Sequence, residues 1–126
     1  MAVQAQLAGV ISLTDNLAGS TQMQKSINLS YLGTISEFAQ SQQIGTSPTT
    51  IPLPGASVQF LYIKNLSANA TLTVTWTPNG GAQAQVLPLQ PGSLILFLES
   101  NSVSGITSLS LQASSAGTPC EYLLVS

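Results

Sequence analysis

Histidine and arginine are absent from this chain, and lysine occurs only as Lys25 and Lys64. Without histidine the chain lacks the side chain that most often moves protons near neutral pH. The four acids, Asp15, Glu37, Glu99 and Glu121, are scattered singly, so the sequence sets up no carboxylate pair for acid–base work. A serine or threonine nucleophile needs an activating base, and only the two lysines could serve. No Gly-x-Ser-x-Gly or phosphate-loop pattern occurs. The expectation is a chain that is not an enzyme. Two cations are also too few to displace the counterions of a nucleic acid, so no nucleic-acid partner is expected. Zinc asks for Cys and His, and calcium for clustered carboxylates. Neither set is present, and no cofactor is expected.

Other shortages narrow the field further. Cys120 is the only cysteine, so it has no partner for an internal disulfide and reads as a small apolar residue entering the last strand. The longest apolar run, Leu94-Ile95-Leu96-Phe97-Leu98, has strand length and falls far short of the roughly 20 residues of a membrane helix. No basic stretch precedes an apolar one near Met1, which argues for synthesis in a cytoplasm and against a membrane partner. Only 5% of residues are charged, against about 25% in an ordinary soluble domain. Ser, Thr, Gln and Asn take their place. With a net charge of −2, copies repel one another weakly, and such a surface suits a chain that associates.

What is present is β-sheet pattern. At 126 residues the chain is long enough for one domain with its own core. Ser57 to Leu66 is apolar on both faces, as in a buried central strand. Ala70 to Thr77 alternates, with Leu72, Val74 and Trp76 on one side and threonines on the other. Pro78-Asn79-Gly80-Gly81 marks a tight hairpin back along Ala82 to Leu89. Pro91-Gly92 turns the chain into Ser93 to Glu99. Asn101 to Gly105 is a polar turn, Ile106 to Ala113 alternates again, Ser114 to Thr118 is a loop, and Glu121 to Val125 closes the chain. Six closely spaced strands without helices predict an all-β fold. The expected architecture is an antiparallel β-sandwich, jelly-roll-like, which limits exposed edges.

The first half is less regular. Ser26 to Tyr31 alternates as a strand, although Met23, Ile27, Tyr31, Ile35 and Phe38 recur near helical spacing; Gly33 and the Ser and Thr content favour strand. Gln40 to Thr50 reads as a loop. Ile51-Pro52-Leu53-Pro54-Gly55 is barred from a central strand by its prolines. Residues 1–20 read either as an N-terminal arm or as an edge strand, ahead of a single domain over 21–126. Leu7, Val10, Ile11 and Leu13 are its candidate assembly contacts, able to add to a neighbour's exposed sheet edge, with Asp15-Asn16 as the exit turn. A glycan-binding module is the alternative, with Trp76, Tyr31, Tyr62 and Tyr122 as candidate platforms, although Trp76 shares its face with core residues. The threonine strand also raises ice binding, which would need threonines on several adjacent strands. Asn28-Leu29-Ser30, Asn65-Leu66-Ser67 and Asn69-Ala70-Thr71 match the N-glycosylation pattern, as chance allows in so hydroxyl-rich a chain.

Four segments together carry a resemblance. They are Thr49-Thr50-Ile51-Pro52-Leu53-Pro54, Phe60-Leu61-Tyr62-Ile63-Lys64-Asn65-Leu66, Pro91-Gly92-Ser93-Leu94-Ile95-Leu96 and Glu121-Tyr122-Leu123-Leu124-Val125. In layout, residues 49 to 126 resemble small virion proteins of tailed bacteriophages. In those, an extended Leu-Pro lead-in precedes a strand ending in Lys-Asn or Arg-Asn. A Thr/Val-rich hairpin, a Pro-Gly turn into an apolar strand and a last strand with Glu-Tyr follow. The resemblance implies a structural virion protein, a β-sandwich that decorates or cements the capsid as a homo-oligomer. Its partners would be its own copies and the major capsid protein, and its place the outer surface of the capsid. Tail and fibre components share the layout.

Overall fold

The computed structural model describes residues 2–14, 21–80, 83–99 and 105–126. Its strands are β1 (Val3–Thr14), β2 (Thr21–Gly33), β3 (Ser36–Ile44), β4 (Thr49–Thr50), β5 (Phe60–Asn65), β6 (Leu72–Pro78), β7 (Gln85–Leu89), β8 (Leu94–Leu98), β9 (Ile106–Ala113) and β10 (Thr118–Val125). Among the described residues there is no helix, and every strand pairing is antiparallel. The all-β expectation holds, with six strands from Phe60 onward. β1 and β2 form a hairpin of their own. The other eight strands make two open sheets, in the orders β3-β10-β5-β8 and β4-β9-β6-β7.

Side chains of both four-stranded sheets meet in one buried cluster. The first contributes Ile44, Leu61, Ile63, Cys120, Tyr122 and Leu124; the second contributes Leu72, Val74, Leu89, Leu109, Leu111 and Ala113. In each strand these are alternate residues, which is why the alternation was visible in the sequence. Each fully buried Leu, Ile or Val contributes about 1.5–3 kcal/mol of transfer free energy. The second sheet's other face is hydroxylated. Thr50, Ser110, Thr75 and Val86 lie side by side across its four strands, and Ser108 Oγ donates to Thr77 Oγ1 at 2.9 Å.

The turns follow the residues that demand them. Ser93 N–H donates to the Gln90 carbonyl at 3.0 Å and Gly92 has φ 76°, so Pro91-Gly92 forms a type II turn. Gly80, with φ 71°, follows β6. Pro88 lies in β7, an edge strand, where its missing N–H breaks no ladder. The turn expected over Asn101 to Gly105 lies, but for Gly105, outside the described residues.

Two expectations need correction. Gln40 to Thr50 is not a loop throughout: β3 runs on to Ile44, and Thr49–Thr50 forms β4. β3 is an edge strand with mostly exposed side chains, so ladder bonds to β10 hold it rather than an apolar stripe, and Ile44 alone is buried. β10 also begins earlier than expected, at Thr118, and its pairing with β3 shifts register between Cys120 and Tyr122.

A buried polar knot that no local motif announces sits at the end of β5. Asn65 is wholly buried. Its Nδ2 donates to the carbonyls of Ala70 at 2.8 Å and Leu89 at 3.0 Å, and its Oδ1 accepts from Ser67 N–H at 3.0 Å. One side chain thus ties β5, the loop before β6 and the end of β7. Its amide is therefore closed to glycosylation in the folded chain. Among the described residues no buried side-chain polar atom lacks a partner. Replacing Asn65 with Ala strands two buried carbonyls and one partly buried N–H. Thermal or denaturant unfolding should show a loss of about 1–3 kcal/mol, and an unchanged midpoint would contradict this role.

Candidate assembly surface

The β1–β2 hairpin stands apart from the two four-stranded sheets as a sheet of its own. Its register pairs Val3 with Gly33, Ala5 with Tyr31, Leu7 with Leu29, Gly9 with Ile27 and Ile11 with Lys25. Because side chains alternate across a strand, these pairs share one face. That face is apolar except for Lys25. The other face pairs Gln4 with Leu32, Gln6 with Ser30, Ala8 with Asn28, Val10 with Ser26 and Ser12 with Gln24. It is mostly polar, and Gln6 Nε2 donates to Asn28 Oδ1 at 3.2 Å. The hairpin is therefore an amphipathic ribbon of 12 and 13 residues.

Only the base of this ribbon is covered. Ala5 is buried with Phe60 and Val125, and Val3, Tyr31, Tyr62, Leu96, Leu98 and Leu123 pack around them. The residues from β5, β8 and β10 belong to the outer face of the first sheet. Three features fix the seat. Tyr31 Oη donates to Gln59 Oε1 at 3.1 Å, and Gln59 Nε2 donates to Ser57 Oγ at 2.8 Å. The Ser126 carbonyl accepts from Thr34 N–H at 2.8 Å, and Ser126 N–H donates to the Ile35 carbonyl at 3.0 Å. Gly33 lets the ribbon pass the chain end: a Cβ there would meet Val125 Cγ1 at 2.5 Å and the Ser126 carbonyl oxygen at 2.6 Å.

Beyond the base the apolar face is open. Leu7 and Ile27 are half-buried, while Leu29, Ile11 and Met23 are exposed at 40%, 50% and 50%. The first sheet's outer face is also apolar. Phe38, Leu123, Tyr62 and Leu96 lie side by side across its four strands, followed by Ser36, Val125, Phe60 and Leu98. Phe38 is 56% exposed. Further along, polar groups replace this strip on β10 and β5, with Glu121 opposite Lys64, while Leu94 of β8 beside them stays exposed. Tyr62 Oη donates to Glu121 Oε1 at 2.6 Å. Burial, then that hydrogen bond, then the carboxylate's charge push the Tyr62 phenol up to about 12. The adjacent Cys120 thiol is buried, and burial followed by the charge of Glu121 pushes it up to about 11, which keeps it protonated and unreactive near neutral pH.

The four residues singled out on sequence divide between the two faces. Leu7 and Ile11 lie on the apolar face. Val10 lies on the opposite one, beside Ser26, and is exposed. Leu13 sits opposite Met23 in the register. The sequence reading missed the β2 half of the strip, Met23, Ile27 and Leu29, together with Phe38. Their signal was the Ser26 to Tyr31 alternation, whose partner was not recognised. β1 pairs with β2 and is a strand of neither four-stranded sheet, and residue 20, the expected end of the arm, lies outside the described residues. Asp15-Asn16 lies outside the described residues. Trp76 is half-buried and packs against the core cluster, not on an open platform. Among the described residues no group of His, Cys, Asp and Glu is placed to hold a metal, and no cavity opens.

Gly33→Ala should destabilise the chain by about 1–3 kcal/mol through overpacking, read as a lower unfolding midpoint. Gly9→Ala, whose added Cβ meets nothing within 4 Å, should leave the midpoint nearly in place. Equal midpoints for the two variants would contradict the seat described for the hairpin base. Compared with protein-family models, with curated proteins and with solved structures, the chain matches none.

Proposed function

We propose that this chain is a structural virion protein of a tailed bacteriophage that decorates or cements the capsid through oligomeric contacts. The observation that carries the reading is the amphipathic hairpin, whose apolar strip is uncovered beyond its base. A chain with only two cations and four acids adds to it, since little charge keeps neighbouring copies apart. The layout of residues 49 to 126, similar to small virion proteins, supplies the particle. The partners are other copies of the chain and the major capsid protein, and the place is the outer capsid surface.

The body is read as a jelly-roll β-sandwich. Numbered from β3 as the first of eight strands, the two sheets run 1-8-3-6 and 2-7-4-5. Each early strand thus has a late strand beside it, as two interleaved Greek keys require. The glycan-binding alternative gains nothing from Trp76, whose ring packs on the core.

The test is to mix the full chain with purified capsid shells that lack it. The chain should sediment with the shells and raise their tolerance of heat or salt. A chain that leaves shells unbound and unaltered, while shifting its tryptophan fluorescence with glycans, would overturn the reading.

A further inference from the structure

We infer that the open part of the hairpin is received by a second copy of this chain, whose own hairpin is returned in exchange. The inference rests on reading the hairpin as an assembly device and adds which surface accepts it. The acceptor is the outer face of the first sheet, around Phe38, Leu123, Tyr62 and Leu96.

Continuity is the first argument. Within one copy, Val3, Ala5 and Tyr31 already seat on Phe60, Val125, Leu98 and their neighbours. The same apolar face of the ribbon continues through Leu7, Ile27, Leu29 and Ile11, and the same sheet face continues to Phe38. A contact that has begun between these two surfaces is left unfinished on both sides. Length is the second argument. Leu7 to Thr14 extends about 26 Å at the usual strand rise, and β5 spans about 20 Å. The open ribbon is therefore long enough to cross one sheet of a neighbouring body.

Area favours exchange. One open ribbon face, about 26 Å by 10 Å, covers roughly 260 Å², far below the roughly 800 Å² per partner of a standard stable interface. Exchange about a two-fold axis makes each copy both donor and receiver and doubles this to about 500 Å² per partner, the size of a weak, concentration-dependent dimer contact. Lys25 is the one charge on the strip, and its long apolar stem can lie along the surface with the ammonium in water.

The experiment measures the mass of the full chain in solution by light scattering over a range of concentrations. Wild type should reach the mass of a dimer. Leu29→Lys on the ribbon and Phe38→Glu on the sheet should each weaken self-association roughly tenfold or more, with the strand signal in circular dichroism kept. Mixed in equal amounts, the two variants should dimerise again, because the Lys-bearing ribbon meets the Glu-bearing sheet and the other contact is wild type. Leu29→Ser serves as the single variant if Leu29→Lys loses its strand signal. Wild type that stays monomeric, variants that dimerise like wild type, a mixture that stays monomeric, or a larger ring would each overturn the exchange. A monomeric wild type that still binds shells sinks this inference alone. A dimer that ignores shells sinks the virion reading and leaves the exchange standing.

Discussion

β10 lies in the middle of the first sheet. It pairs with β3 on one side and β5 on the other, so the sheet is incomplete until Thr118–Val125 is in place. Val125 is fully buried at the point where β10 meets the hairpin, and Ser126 ties down the link from β2 to β3 through its carbonyl and N–H. One insertion thus completes the core, binds the early strands to the late ones and seats the hairpin. Such pairings are distant in sequence, and loop closure must precede the contacts that reward it, so folding is expected to be slow for the chain's size.

From that seat follows a molecule with two unlike outsides. The second sheet turns threonine and serine outward, which keeps it wet without charge. The first sheet turns Phe38, Leu123, Tyr62 and Leu96 outward and is covered only at one end. Lys64, Glu121 and the Tyr62 hydroxyl set the other limit of that apolar zone. With so few charges on the chain, long-range steering is weak, and specificity falls to shape and apolar register. A ribbon whose side chains alternate strictly is suited to this, because a slip of one residue would turn its polar face to the partner.

Much of the body was legible in the sequence, for an identifiable reason. In β5, β6, β9 and β10 the core residues alternate along the strand, and Pro91-Gly92 and Asn79-Gly80 punctuate the chain with residues that turns require. β3 was hidden because Gln40 to Gln43 carry no apolar signal; β10 dictates that strand from 80 residues away. Asn65 was read as a strand end, and nothing local reveals that its amide is spent on Ala70 and Leu89. The hairpin was half legible. Leu7 and Ile11 were singled out, and Ile27, Leu29 and Tyr31 were read as one side of a strand. That the two segments face each other is a fact of pairing, which composition does not encode. Val10 was grouped with Leu7 and Ile11 because, without a partner strand, the two faces of β1 could not be told apart.

We propose that copies assemble through the hairpin of one seated on the outer face of another's first sheet, with the hydroxylated sheet left free. Hydrogen exchange of the full chain, followed by mass spectrometry in dilute and in assembled samples, reads this segment by segment. Backbone amides from Leu7 to Ser12 and from Met23 to Leu29 should exchange quickly when dilute and slow on assembly, while those of β6 and β9 stay unchanged. Slowing confined to the hydroxylated sheet, with the hairpin still exchanging freely, would contradict the account.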